Sequence, residues 1–194
     1  MSVNEFNVVI LAGGESSRMK SEKGLVLFQG KPLIQHVIDA VRPVTDKIIL
    51  IVHDKRYNEF NLPCFPDIFP GVGPMGGIYS GLTYSNTAKN FVLSCDIPFI
   101  TSHFISSFVQ LSGEEDVLVP VHEGKMQPLC SVYDQRCRVE LQARIQTGKY
   151  KLQDCIAQMK LKRVHVDTKY PDAEKLFTNL NTPDELSKFE NHQA

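Results

Sequence analysis

The chain has little net charge, no long apolar run and no paired-cysteine motif. Across 194 residues the formal charge is −1, which excludes the basic footprint of a protein that wraps nucleic acid. Any anion site must therefore be local. No apolar stretch approaches the roughly 18–20 residues needed to span a bilayer. The first seven residues have neither the basic region nor the apolar core of a secretory signal. These absences point to a cytoplasmic protein that engages neither nucleic acid nor membrane. The five cysteines, Cys64, Cys95, Cys130, Cys137 and Cys155, are odd in number and include no C-x-x-C pair. They read as small buried thiols in a reducing compartment, with Cys95 packing beside a site at a strand end. The six histidines lack zinc-ligand spacing. There is no Ser-His-Asp arrangement, internal repeat or low-complexity tract.

What is present is an alternation of apolar strand-like runs with helical patterns, the mark of a parallel sheet with helices on its faces. Strands are expected at 7–11, 48–52, 91–94, 117–121, 126–133 and 163–166. Helices are expected at 32–41, 75–84, 104–111, 136–146 and 152–159. The run Ile48 to Val52 is apolar throughout, as a strand buried on both faces would be. Thr182-Pro183-Asp184-Glu185 opens a last helix: Thr182 caps it, Pro183 takes the first position and Glu185 completes a capping box. One compact α/β domain over residues 1–194 is the simplest organisation.

The first strand empties into Leu11-Ala-Gly-Gly-Glu-Ser-Ser-Arg-Met-Lys-Ser-Glu-Lys-Gly-Leu25. Gly13 and Gly14 let the backbone turn sharply and bring bare N–H groups close to a ligand. Arg18 and Lys23 add positive charge at the far end, while Ser16 and Ser17 suit phosphate oxygens better than nucleophilic attack. The loop is neither a Walker A sequence nor G-x-G-x-x-G. It suits a nucleoside triphosphate; a flexible turn with two solvated cations is the bland alternative.

Further on, Gly71-Val-Gly73-Pro-Met-Gly76 matches G-x-G-x-x-G literally, with Asp96 about twenty residues later, the layout of a dinucleotide fingerprint. Pro63, Pro66 and Pro70 crowd the place where its central strand should lie, which argues against that layout. A loop lying flat against a nucleotide base, or a tight turn, fits better. Asp96 stands just past an apolar strand, where parallel sheets bind ligands. One hard carboxylate plus phosphate oxygens is how Mg²⁺ is held; a turn aspartate is the alternative. Asp67 suits contact with a base or a second metal, or a surface turn. His53, just past the second strand, faces the same end of the sheet; it reads as a solvated loop histidine, with contact to a base as the alternative.

Taken together, Leu11-Ala-Gly-Gly14, Ser17-Arg-Met19, Glu22-Lys-Gly-Leu25, Gly30-Lys-Pro-Leu33 with His36, Gly73-Pro-Met-Gly-Gly77, Cys95-Asp-Ile-Pro98 and Asn179-Leu-Asn-Thr-Pro-Asp-Glu-Leu186 resemble the molybdenum cofactor guanylyltransferases, the MobA proteins. The matches span nearly the whole chain in the family's order. The resemblance implies the nucleotidyltransferase fold, a Rossmann-like three-layer α/β/α sandwich with a mostly parallel central sheet. A nucleotide-binding half would occupy about 1–100 and a pterin-substrate half about 101–194. It implies transfer of GMP from Mg-GTP to the phosphate of molybdopterin cofactor, giving the guanine dinucleotide cofactor and pyrophosphate. Molybdopterin-loading and molybdoenzyme-maturation proteins would be partners. Carried over by position, Leu11, Ala12, Gly13 and Gly14 line the GTP pocket, Lys23 contacts phosphate, Asp67 helps bind the nucleotide and Asp96 holds Mg²⁺. Arg18, Lys23 and Asp96 form the implied catalytic set, and Asn179 and Asn181 match asparagines on the pterin side. The departures are Lys20, Glu22, Gln127-Pro128, and Ile51 with His53 where an asparagine is often found; they bear on base selection and pterin contacts. The rival readings are a related nucleotidyltransferase using CTP or a sugar phosphate, a non-catalytic nucleotide-binding partner protein, and a dinucleotide-dependent oxidoreductase.

Overall fold

A computed structural model describes residues 5–13, 22–167, 169–170, 172–182, 185–186 and 189. Its centre is β1 (Phe6–Leu11), six buried residues in a row. β1 lies between two parallel partners, β4 (Ile48–Ile51) and β6 (Lys89–Ser94), in the registers Val9↔Ile49 and Val9↔Val92. Successive β1 side chains point to opposite faces. Val8 and Ile10 enter one core, Val9 and Leu11 the other.

Around β1 the sheet runs β10 (Leu161–His165), β7 (Val117–His122), β9 (Cys130–Asp134), β6, β1, β4, β5 (Cys64–Phe65), with β8 (Lys125–Met126) on β7. β9 runs antiparallel to both of its neighbours, and β8 runs antiparallel to β7; the other strands are parallel to β1. A small hairpin, β2 (Leu27–Phe28) with β3 (Lys31–Pro32), stands apart from this sheet.

One face is covered by α1 (Leu33–Val41), α3 (Ser102–Val109) and α6 (Ala173–Leu176). The other is covered by α2 (Pro74–Tyr84), α4 (Cys137–Gln146) and α5 (Leu152–Ile156). The result is the expected three-layer sandwich with a mostly parallel sheet. α1 buries Leu33, Ile34, Val37, Ile38 and Val41, one apolar stripe at helical spacing. The Thr101 hydroxyl accepts from the Phe104 N–H (3.2 Å) and starts α3. α2 lies unusually close to β1. A Cβ on Gly81 would sit 2.3 Å from Val9 Cγ1, so only a glycine permits this separation.

The chain leaves β1 through α1 to reach β4 on one side, and returns through α2 to reach β6 on the other. α1 lies on one face and α2 on the other, so the loop after β1 and the loop before α2 part at the carboxyl ends of the strands and open a crevice between them.

Several expected elements shift. The 126–133 strand divides into β8 and β9, because residues 127–129 turn between them. The helix expected to reach 159 stops at Ile156. The proline-rich stretch holds the two-residue strand β5 at the sheet edge, where missing N–H donors are tolerated. All five cysteines are free thiols. No helix among the described residues is long and apolar enough to cross a membrane.

Candidate nucleotide-binding site

The site is built from the end of β1, the turn carrying Lys23, the residues after β6, and the loop before α2. Lys23–Leu25 form one 3-10 turn, closed by Leu25 N–H to Glu22 O (3.0 Å) and Val26 N–H to Lys23 O (3.2 Å). Gly24 is buried against Tyr57, and a Cβ there would fall 2.8 Å from the phenol oxygen. The Tyr57 ring is fully buried; its hydroxyl donates to Ala12 O (3.2 Å) and stands 3.4 Å from Glu22 Oε2. Burial pushes this phenol well above its ordinary pKa, so it remains a donor. Tyr57 thus ties the end of β1 to the lysine turn.

The Lys23 ammonium contacts Asp96 Oδ2 and Asn181 Oδ1. Asp96 is 7% exposed, and its other oxygen, Oδ1, is buried with no hydrogen-bond partner among the described residues. Just before it, the Cys95 N–H extends the β1–β6 pairing by donating to Leu11 O (3.1 Å). Burial, followed by the Asp96 charge, pushes the Cys95 thiol up to about 12, so Cys95 packs rather than reacts. The backbone of Asp96 accepts from Leu180 N–H (2.9 Å), which pins the C-terminal segment alongside. The capping box is present: Glu185 N–H donates to Thr182 Oγ1 (3.2 Å), and the Glu185 carboxylate accepts from Thr182 N–H (3.1 Å) and Asn181 N–H (2.6 Å).

Beside this contact opens a cleft of about 680 Å³, lined by Leu11, Gly13, His53, Asp67, Gly71, Gly73 and others. Asp67 Oδ1 accepts from the Phe69 N–H (2.9 Å) and the Ser80 hydroxyl (2.8 Å), so the carboxylate holds its own loop in shape. Gly71 (φ 85°) and Gly73 (φ 70°) occupy the left-handed region that glycine tolerates. Their loop follows the edge strand β5 and forms the cleft rim. The dinucleotide layout, which needs a first central strand before the glycines, is absent.

Leu11, Gly13 and Asp67 therefore meet at one cleft, while Lys23, Asp96 and Asn181 meet at one contact. Ala12 is buried and offers its carbonyl to Tyr57. Asn179 is exposed, and its amide donates to Phe177 O (3.3 Å), not to the Lys23 contact. Gly14, Ser16, Ser17 and Arg18 lie outside the described residues. His53 is exposed, as expected, and borders the cleft next to Gly13. Its place just past β4 was the available signal. Ser94 and Leu129 also line the cleft. Leu129 gave no such signal, because only the reversed direction of β9 brings it there.

Among the described residues no cluster of three or more His, Cys, Asp or Glu could cage a metal. The buried, unpartnered Asp96 Oδ1 matches instead a hard cation held by one carboxylate and completed by phosphate and water.

Known proteins are similar to this chain in sequence and in fold. Residues 8–164 match the description of the MobA-like NTP transferase domain. The probable molybdenum cofactor guanylyltransferase of Flavobacterium johnsoniae is 38% identical over 180 residues, covering 92% of this chain and 93% of that protein. The molybdenum cofactor guanylyltransferase of Vibrio cholerae is 36% identical over 187 residues, covering 93% and 89%. The crystal structure of molybdopterin-guanine dinucleotide biosynthesis protein A from Archaeoglobus fulgidus superposes with a TM-score of 0.82 at 25% identity, covering 96% of this chain and 98% of that one. The chain is a nucleotidyltransferase and belongs to the MobA-like NTP transferase family.

Proposed function

We propose that the protein transfers the GMP part of Mg-GTP to the terminal phosphate of molybdopterin cofactor, releasing pyrophosphate. The observation that carries this reading is the meeting of Lys23 and Asp96 at the mouth of the β1–β6 crevice, beside a cleft large enough for a nucleoside. The names of the relatives support guanine as the base and the molybdenum cofactor as the acceptor.

In this reading the base lies in the cleft against Leu11, Gly13 and Asp67. Guanine presents two donors on its pairing edge, and Asp67 supplies carboxylate oxygen to accept from them. Lys23 moves onto the triphosphate and offsets charge on the departing pyrophosphate, with Gly14 and Arg18 of the same loop completing the phosphate contacts. Asp96 would hold Mg²⁺ through Oδ1, and the ion, when bound, neutralises charge at the α-phosphate. The attacking oxygen belongs to an acceptor already ionised as a phosphate, so no strong base is required of the chain. The protein's task is positioning and charge neutralisation. Residues 1–100 would serve the nucleotide and 101–194 the acceptor, with Asn179 and Asn181 beside the pterin, all within one domain working in the cytoplasm.

Calorimetric titration with GTP, ATP and CTP in Mg²⁺, followed by pyrophosphate release on adding molybdopterin cofactor, tests the reading. GTP should bind best, and Asp96→Ala should lose at least roughly 10²–10³ in transfer rate. Equal affinity for the three nucleotides, or near-normal transfer by Asp96→Ala, would overturn it.

A further inference from the structure

The Lys23 ammonium is largely withdrawn from solvent. It is clamped between oxygens of two distant segments, Asp96 Oδ2 and Asn181 Oδ1. Its side chain is 19% exposed, and that of Asp96 is 9% exposed. Asp96 Oδ1, on the same carboxylate, is enclosed and has no partner among the described residues. The carboxylate is a cation seat, and the Asn181 amide oxygen anchors the ammonium in it. In the free protein that seat is filled by the chain's own lysine.

We infer that Lys23 is the resident cation of this seat, and that Asn181 is the positioning residue that keeps it there until a nucleotide draws it away. The inference extends the reaction proposed above; it rests on that reading for the nucleotide's identity but not for the seat itself. A divalent ion on Oδ1 and an ammonium on Oδ2 of one carboxylate repel across a few ångströms, so each weakens the other's binding. The metal binds well only when Lys23 leaves. A triphosphate, with several charged oxygens, is a stronger partner for the ammonium than one carboxylate and one amide. Nucleotide and metal therefore bind together, and metal alone binds poorly. Asn181 suits the part because both of its flanks are fixed. Leu180 N–H is bonded to Asp96 O (2.9 Å), and Asn181 N–H is bonded to Glu185 Oε2 (2.6 Å). Withdrawal of Lys23 frees the Asp96 and Asn181 oxygens in one event, so the nucleotide side of the crevice signals its occupancy to the C-terminal segment.

Mn²⁺ is a paramagnetic probe with the same preference for oxygen ligands. It is titrated without nucleotide into the wild-type protein, Asn181→Leu and Lys23→Met, with free Mn²⁺ read by its paramagnetic resonance signal. Asn181→Leu keeps every charge but removes one anchor of the ammonium, and should raise Mn²⁺ affinity about three- to tenfold. Lys23→Met should raise it further. With a non-hydrolysable GTP analogue present, wild-type affinity should rise and the gap to Asn181→Leu should close. Unchanged or weaker Mn²⁺ binding by Asn181→Leu would overturn the inference. That variant decides the matter even if Lys23→Met fails to fold. If Mn²⁺ responds as expected while no GTP analogue binds any form, the seat stands and the guanylyl reading fails. If the analogue binds but Asn181→Leu changes nothing, the reverse holds.

Discussion

Replacing Gly81 with alanine tests how the crevice is held open. The added Cβ would fall 2.3 Å from Val9 Cγ1, 3.1 Å from Cγ2 and 3.2 Å from Cβ. Unstrained carbon atoms sit about 3.5–4.0 Å apart, so helix and strand must separate by more than an ångström. Val9 cannot yield: it is fully buried in the central strand, and its branched side chain is stiff at χ1. Overpacking of this kind costs about 1–3 kcal/mol, and lifting α2 forfeits part of the dispersion contact along its length. Against this, alanine is favoured over glycine in a helix by about 1 kcal/mol. A net loss of about 2 kcal/mol is expected, which for a chain of this size lowers Tm by about 4–8 °C. Urea unfolding followed by circular dichroism measures it. Val9→Ala alone should cost about 2 kcal/mol through the cavity it leaves. The double variant should nevertheless be at least about 1 kcal/mol more stable than the two losses combined, because the removed methyl groups are the obstruction. Wild-type stability for Gly81→Ala, or simple additivity in the double variant, would refute the reasoning.

Gly24→Ala drives a methyl group to 2.8 Å from the Tyr57 phenol oxygen and displaces the turn that carries Lys23; titration should find nucleotide affinity reduced about tenfold or more, partly restored by Tyr57→Phe, since one lost or misplaced charged contact is worth about 1.5–3 kcal/mol. Asp67→Asn can keep an acceptor for the Phe69 N–H while removing the charge offered to a guanine edge; the GTP preference over ATP should fall roughly tenfold or more in competition binding. The Asp134 carboxyl is pushed upward by burial but held below its ordinary value of 3.8 by the opposing Arg136 and Lys89 contacts. Its contribution to stability is therefore present above 3.8 and fades as pH falls through the lowered value. Acid unfolding curves should show a shallower slope for Asp134→Asn, together with lower stability at neutral pH.

The parts legible in the sequence were those whose pattern is long enough to repeat. β1, β4 and α1 announced themselves because Val8-Val-Ile-Leu11 and Ile48-Ile-Leu-Ile51 are apolar without interruption, while Leu33, Ile34, Val37, Ile38 and Val41 recur at helical spacing. The β2–β3 hairpin, β5, β8 and α6 span two to four residues each, too few to display any period. The candidate site divides in the same way. Asp96 could be located because a carboxylate just beyond an apolar strand has one plausible address in a parallel sheet. The approach of Lys23 to Asp96 was legible too, because both follow strands at one end of the sheet; the share of Asn181 was not, since it lies 158 positions from Lys23. Leu129 reaches the cleft through the reversed direction of β9, which local sequence does not encode.

β8 and β9 run against the other strands, and the reversal of β9 has a consequence for how such an enzyme diversifies. Every parallel strand meets the crevice with its exit, so altering the residues there also alters the lead into the helix that follows. β9 arrives with its entrance instead: Leu129, immediately before it, borders the cleft, and its carbonyl accepts from Ser94 N–H (3.0 Å). In the short approach through residues 123–129, Met126 and Leu129 pack against the apolar layer of α2, α4 and α5, whereas the tip at residues 123–125 is exposed. That tip can change length or side chains without disturbing the packing behind it, so the cleft border can vary there independently of any following helix.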